Sequence, residues 1–99
     1  MRVGVFTPLL SQVPLSVVVK KLGELRIDTV ELATGNYVGD AHCKLSMLEN
    51  ASALAEFKKV LADHGVSISA LSCHGNALHP DKAFAQQNRE VSRKTILLA

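Results

Sequence analysis

Two kinds of apolar spacing alternate along the chain. Arg2–Phe6, Ile27–Leu32 and Val66–Leu71 are short runs rich in β-branched residues, and each reads as a strand. Between them the period lengthens. Leu15, Val18, Val19 and Leu22 stand at i, i+3, i+4 and i+7, one face of a helix over Pro14–Leu22. Pro14 suits a first helical turn. The valines lower intrinsic propensity, so burial must hold this helix together. Gly23 is expected at its frayed end. A second helix over Asn50–His64 gathers Leu54, Phe57 and Leu61 on its apolar side, joined by Ala51 and Val60. Glu56, Lys59 and Asp63 face water there, spaced for pairs at Glu56–Lys59 and Lys59–Asp63. His64-Gly65 is the stop, with Gly65 in the left-handed cap and His64 at the favourable end of the helix dipole. A third helix opens at Pro80-Asp81, where a carboxylate meets unpaired amides. It carries Phe84, Val91, Thr95 and Leu98 on one face.

The order β-α-β-α-β-α with short connections predicts an α/β fold with parallel strands and right-handed crossovers. A parallel sheet has both faces covered, or it closes into a barrel. Three strands with helices on one side satisfy neither condition. The chain also stops at Ile96–Ala99 with no cap or turn. The expectation is therefore an incomplete unit. Its open edges call for the missing remainder of the fold or for further copies in a homo-oligomer.

Composition narrows the partners. At 99 residues, the chain is one domain, residues 1–99, of ordinary globular make-up with 47% hydrophobic positions. Eleven basic against nine acidic side chains give +2, too little to argue for a nucleic-acid partner. No apolar stretch approaches the roughly 20 residues of a membrane span. Met1–Phe6 lacks the cleavage site of a secretory signal. Cys43 and Cys73 fit no zinc spacing and read as free thiols in a reducing compartment, so the expected location is cytoplasmic. GxGxxG and GxxxxGK[ST] phosphate loops are absent, and nothing local marks a Ser/His/Asp nucleophile.

Chemistry in parallel α/β folds collects beyond the carboxyl ends of the strands. Glu31 stands near the end of the second strand, His42 lies in the following loop, and Cys73-His74-Gly75-Asn76 leaves the third strand. An imidazole at His74 can ligate a metal, bind a sugar hydroxyl or move a proton near neutral pH. Its alternative is a loop histidine bonded to backbone. Gly75 permits close approach of a ligand, and Asn76 can both donate and accept. Glu31 faces inward only if Thr29 and Glu31 share the inner side of the strand; otherwise it is an exposed strand-end carboxylate. His42 beside Cys43 is a poor metal pair, because neighbouring residues rarely converge on one ion. His79-Pro80-Asp81 reads as helix initiation.

Asp28-Thr29-Val30-Glu31-Leu32, a Gly-containing loop, Ser72-Cys73-His74-Gly75-Asn76-Ala77-Leu78-His79-Pro80 and Arg93–Ala99 together resemble the sugar phosphate isomerase/epimerase family. These are xylose-isomerase-like TIM barrels, related in fold to AP endonuclease IV. The resemblance runs through the whole chain and implies the first three βα units of a (β/α)8 barrel, an incomplete one. It implies a small-molecule carbohydrate substrate (a sugar, sugar phosphate or related polyol) and a divalent metal, Mn, Mg, Co or Zn, in the complete protein. The proton transfer would run through an enediolate, moved by glutamates on later strands. Glu31 then matches a pocket-lining glutamate. His74 matches a residue that touches substrate or supports the metal site, with direct metal ligation as the lesser reading. His42 lines the pocket mouth, and Asn76 joins the binding set. This chain alone would lack the catalytic carboxylates and be inactive, while the parent protein is an enzyme. The alternatives are a fragment of an AP-endonuclease-like zinc hydrolase and a non-enzymatic homo-oligomeric α/β module.

Overall fold

A computed structural model describes all 99 residues. Three parallel strands, β1 (Val5–Phe6), β2 (Thr29–Ala33) and β3 (Ser67–Ser72), lie side by side in chain order. Each is followed by a helix: α1 (Leu15–Glu24), α2 (Ala51–Asp63) and α3 (Lys82–Leu98). Short 3-10 turns at Thr7–Leu10, Asn36–Val38 and Leu45–Glu49 lie between the strands and the helices, and the sequence pattern does not announce them.

The alternation of β2 sorts the two sides. Val30 and Leu32 are both 0% exposed and pack with Val18, Val19 and Leu22 of α1, Leu61 of α2, and Cys43 and Met47 of the intervening loop. Leu98 of α3 joins the same cluster, so all three helices lie on the Val30/Leu32 side. Glu31, one residue out of phase, points to the other side. Its partners across the sheet are Phe6 and Ala70. A register shift between Val30 and Glu31 marks a bulge against β3. Four of the six β3 residues are exposed, which is the mark of an edge strand without a further neighbour.

Several boundaries depart from the sequence reading, each for a local reason. Strand β1 keeps only Val5 and Phe6. Arg2 is drawn out of it by a three-way clasp: its Nη2 donates to Asp28 Oδ1 (3.1 Å), Thr29 Oγ1 (2.9 Å) and Ser67 Oγ (3.2 Å). The Arg2 guanidinium, helped by the Thr29 hydroxyl, holds the Asp28 carboxyl below its usual range. Gly23 is not a frayed end but part of α1, which runs to Glu24. The left-handed cap falls on Arg26 (φ 58°), with Arg26 N–H donating to Gly23 O and Ile27 N–H to Leu22 O. Ile27 is thereby taken from the predicted strand. Helix α2 ends the same way on Gly65 (φ 63°), as its sequence indicates. Lys59 pairs with Asp63, whereas Glu56 enters no ion pair. In α3, Phe84 is 47% exposed and outside the buried face, which consists of Ala85, Asn88 and Thr95.

The two caps make opposite predictions. Arg26→Gly relieves a left-handed non-glycine residue and should stabilise the chain by about 0.5–1 kcal/mol. Gly65→Ala should cost about 1 kcal/mol at the equivalent position of α2. Urea midpoints of the two variants measure both; a fall for Arg26→Gly would refute the cap assignment.

Candidate functional site

The carboxyl ends of β2 and β3 are laced together by polar side chains. Beyond β2, the hydroxyls of Thr34 and Thr95 lie 2.7 Å apart; one donates to the other, and the second proton goes to whichever of Ser72 O and Val91 O its own hydroxyl faces. This buried contact fixes α3 to the sheet end. Asn36 takes the left-handed conformation (φ 61°), which asparagine tolerates, and its Nδ2 donates to Cys73 O at 3.0 Å. The Tyr37 N–H donates to His74 O. The loop after β2 is thus laid along the loop after β3.

Asn88 completes the lacing from α3. It is 4% exposed and bonded at both ends of its carboxamide: Oδ1 accepts from Asn76 N–H at 3.0 Å, and Nδ2 donates to Phe84 O at 2.8 Å. Gly75 is required beside it, because a Cβ there would come within 1.9 Å of Asn88 Oδ1. Glycine at this position serves the packing of two loops, where the sequence indicated approach of a ligand.

The residues singled out by sequence fall into two groups. Glu31 and His74 each neighbour Phe6. Phe6 is the register partner of Glu31, and its ring meets the His74 imidazole edge-on at 6.3 Å. The His74 ring also lies 5.9 Å from that of Tyr37. Glu31 is half-buried and His74 exposed, and neither side chain is held by a hydrogen bond within the chain. Both are available to a ligand. His42, by contrast, is 7% exposed, and its Nε2 lies 2.6 Å from Val13 O. It ties the β2–α2 loop to the segment ahead of α1, a structural employment. Asn76 caps its own turn by accepting from Leu78 N–H through Oδ1. His79 accepts from Asp81 N–H, and Asp81 caps α3 through Ala83 and Phe84 N–H, as helix initiation requires. His64 Nδ1 lies 2.9 Å from Val60 O at the end of α2.

A groove of about 540 Å³ opens between these loops and α3. Asn36, Tyr37, Asn76, Phe84, Gln87 and Asn88 line it. The sequence pattern singles out none of Tyr37, Gln87 and Asn88, and it sets Phe84 on the helix face of Val91, Thr95 and Leu98. The available signal was Asn88, a polar residue one turn beyond Phe84 on a helix face read as apolar. No three His, Cys, Asp or Glu side chains converge anywhere in the chain. Glu31 and His74 therefore do not complete a metal site by themselves. No helix is long and apolar enough to cross a membrane.

No family model matches the chain. An uncharacterized protein of Bacillus subtilis (strain 168), YfiH, is 29% identical over 100 residues. The similarity takes in 100% of this chain and 32% of that protein. The chain thus spans about a third of the length of the curated relative it matches.

Cys43 supplies a test of the packing that supports these loops. Burial, with a smaller contribution from Asp40, pushes its thiol up to about 11. An unfolded cysteine ionises near 8.5, so the folded state holds the proton more tightly. The resulting stabilisation is complete below pH ~8.5 and disappears as the pH rises to about 11, a loss of about 2–3 kcal/mol. Urea unfolding at pH 8 and pH 10.5 should show that loss in the native chain and not in Cys43→Ala. Equal slopes would mean that Cys43 is not buried.

Proposed function

We propose that this chain forms the first three βα units of a (β/α)8 barrel. The whole protein would be a divalent-metal-dependent isomerase or epimerase of a sugar or related polyol. The observation that carries the reading is the arrangement of the sheet. Three parallel strands stand in chain order, every helix packs on one side, and Glu31 and His74 lie toward the other, near the strand ends. A closed barrel turns that bare side into its interior and its catalytic mouth. The exposed outer strand β3 is the edge at which a fourth strand would add. A relative about three times as long as this chain leaves room for the other five units, since a full barrel takes about 250 residues.

In this reading the metal (Mn, Mg, Co or Zn) completes its coordination with groups outside this chain, and it would supply Lewis-acid polarisation of the substrate oxygens. Proton transfer between neighbouring carbons falls to carboxylates outside this chain as well. This chain contributes binding. The Glu31 carboxylate accepts a hydrogen bond from a substrate hydroxyl, and the His74 imidazole, beside the Phe6 and Tyr37 rings, donates to or accepts from another. His42 acts indirectly, by holding the loop that frames the mouth.

The full-length gene product, incubated in D2O with a panel of aldoses, ketoses and keto-polyols and with each metal in turn, should place deuterium on the carbon next to a carbonyl. Glu31→Gln should lower kcat/KM on the active substrate about tenfold or more, which corresponds to about 1.4 kcal/mol of lost transition-state stabilisation. Absence of exchange across the panel with every metal would overturn the reading.

A further inference from the structure

One side chain at the end of β1 is left with an unmet requirement. Thr7 is 0% exposed, and its Oγ1 makes no hydrogen bond within the chain. A buried hydroxyl without a partner is costly, and most buried polar groups in folded proteins are bonded. Valine has nearly the same shape and would fill the position without that cost.

The surroundings of Thr7 supply a second, independent observation. Thr7 lines a small cavity of about 10 Å³, together with Ser11, Ala33, Val38, Ala41 and His42. That is about the room that one water molecule needs, and too little for an organic ligand. The polar groups on its walls suit water. His42 is buried, and its Nε2 lies 2.6 Å from Val13 O. A carbonyl only accepts, so Nε2 carries the proton, and Nδ1 of the neutral ring is an acceptor. Nδ1 makes no bond within the chain, and neither does Ser11 Oγ. The Thr7 hydroxyl thus has a proton to give, and the imidazole has a lone pair to fill. A water molecule accepts the first and donates to the second. Its other proton goes to Ser11 Oγ, which makes three bonds, the usual number for a buried water. No carboxylate lines the cavity, so a divalent cation of the calcium or magnesium type finds no counter-charge there.

We propose that a single water molecule is bound here as a fixed part of the structure, accepting from Thr7 Oγ1 and donating to His42 Nδ1 and Ser11 Oγ. Its effect is to join two loops. Through Nε2, His42 holds the loop after β2 to Val13. The water adds a tether from the same ring to the turn after β1, so the imidazole is gripped at both nitrogens. The ring then cannot flip or change tautomer without breaking a buried bond. The loops at the carboxyl ends of β1 and β2 are held as one body. The inference goes beyond the isomerase reading and does not rest on it.

A high-resolution crystal structure of the full-length gene product tests the site directly. The expected result is a single density peak about 2.7–3.2 Å from both Thr7 Oγ1 and His42 Nδ1. No peak, or a peak at about 2.0–2.6 Å ringed by further oxygens as a cation would be, overturns the proposal. The sign of one substitution gives a test in solution. Thr7→Val keeps the shape and removes the hydroxyl. If the hydroxyl holds a water, its loss strands His42 Nδ1, and the thermal midpoint should fall by about 2–4 °C. If the hydroxyl has no partner at all, valine relieves its cost and the midpoint rises. A rise, or no change, overturns the proposal. Thr7→Ser retains the oxygen and should keep the density peak, and Thr7→Val should lack it. A peak that survives in the valine variant removes Thr7 from the site and overturns the proposal too. Should Thr7→Val not fold, the native and serine structures carry the test.

Discussion

Val30 and Leu32 allow the sheet only one orientation. Both side chains are wholly buried against α1, α2 and the Cys43–Met47 loop, and β2 alternates with a period of two. A slip of one residue would put Glu31 into the apolar layer, at the cost of an unpartnered buried carboxylate. Everything else is referred to this choice. The helices must lie on the Val30 side, Phe6 and Ala70 must flank Glu31 on the other, and the loops must gather at the carboxyl ends.

Polar contacts take over where the apolar layer ends. The Thr34–Thr95 pair, the Asn36–Cys73 bond and the doubly engaged Asn88 hold two loops and a helix in a fixed relation. Thr34, Thr95 and Asn88 are buried, so their contacts resist displacement more than a surface contact would. At the opposite end of the sheet Arg2 performs a similar service for three strands. The site is thus the junction of a rigid sheet with loops made rigid by side chains.

The element order was legible because period-2 and period-3.6 spacing differ strongly at Val30–Leu32, at Leu15–Leu22 and at Leu54–Leu61. The cap at Gly65 was legible because glycine marks a left-handed residue. The cap at Arg26 was not, since arginine carries no such mark and only the Ile27–Leu22 contact reveals it. Phe84 shares a helix face with Val91 as the spacing indicates, but helical spacing cannot tell a core position from a groove wall when both are apolar. His42 looked like site chemistry because its employment depends on Val13, 29 residues away, and no local pattern encodes that contact. Glu31 and His74 were legible as strand-end positions. That each neighbours Phe6 required the sheet register.

In the barrel proposed above, β3 would be an interior strand of a larger closed sheet. Amide hydrogen exchange over Ser67–Ser72, measured in the 99-residue chain and in the full-length gene product, tests this most directly. If a fourth strand adds to β3, the amides that point away from β2 exchange rapidly in the short chain and become strongly protected in the full-length protein. Equal, rapid exchange in both would mean that β3 remains an edge, and that this chain is not the opening of a barrel.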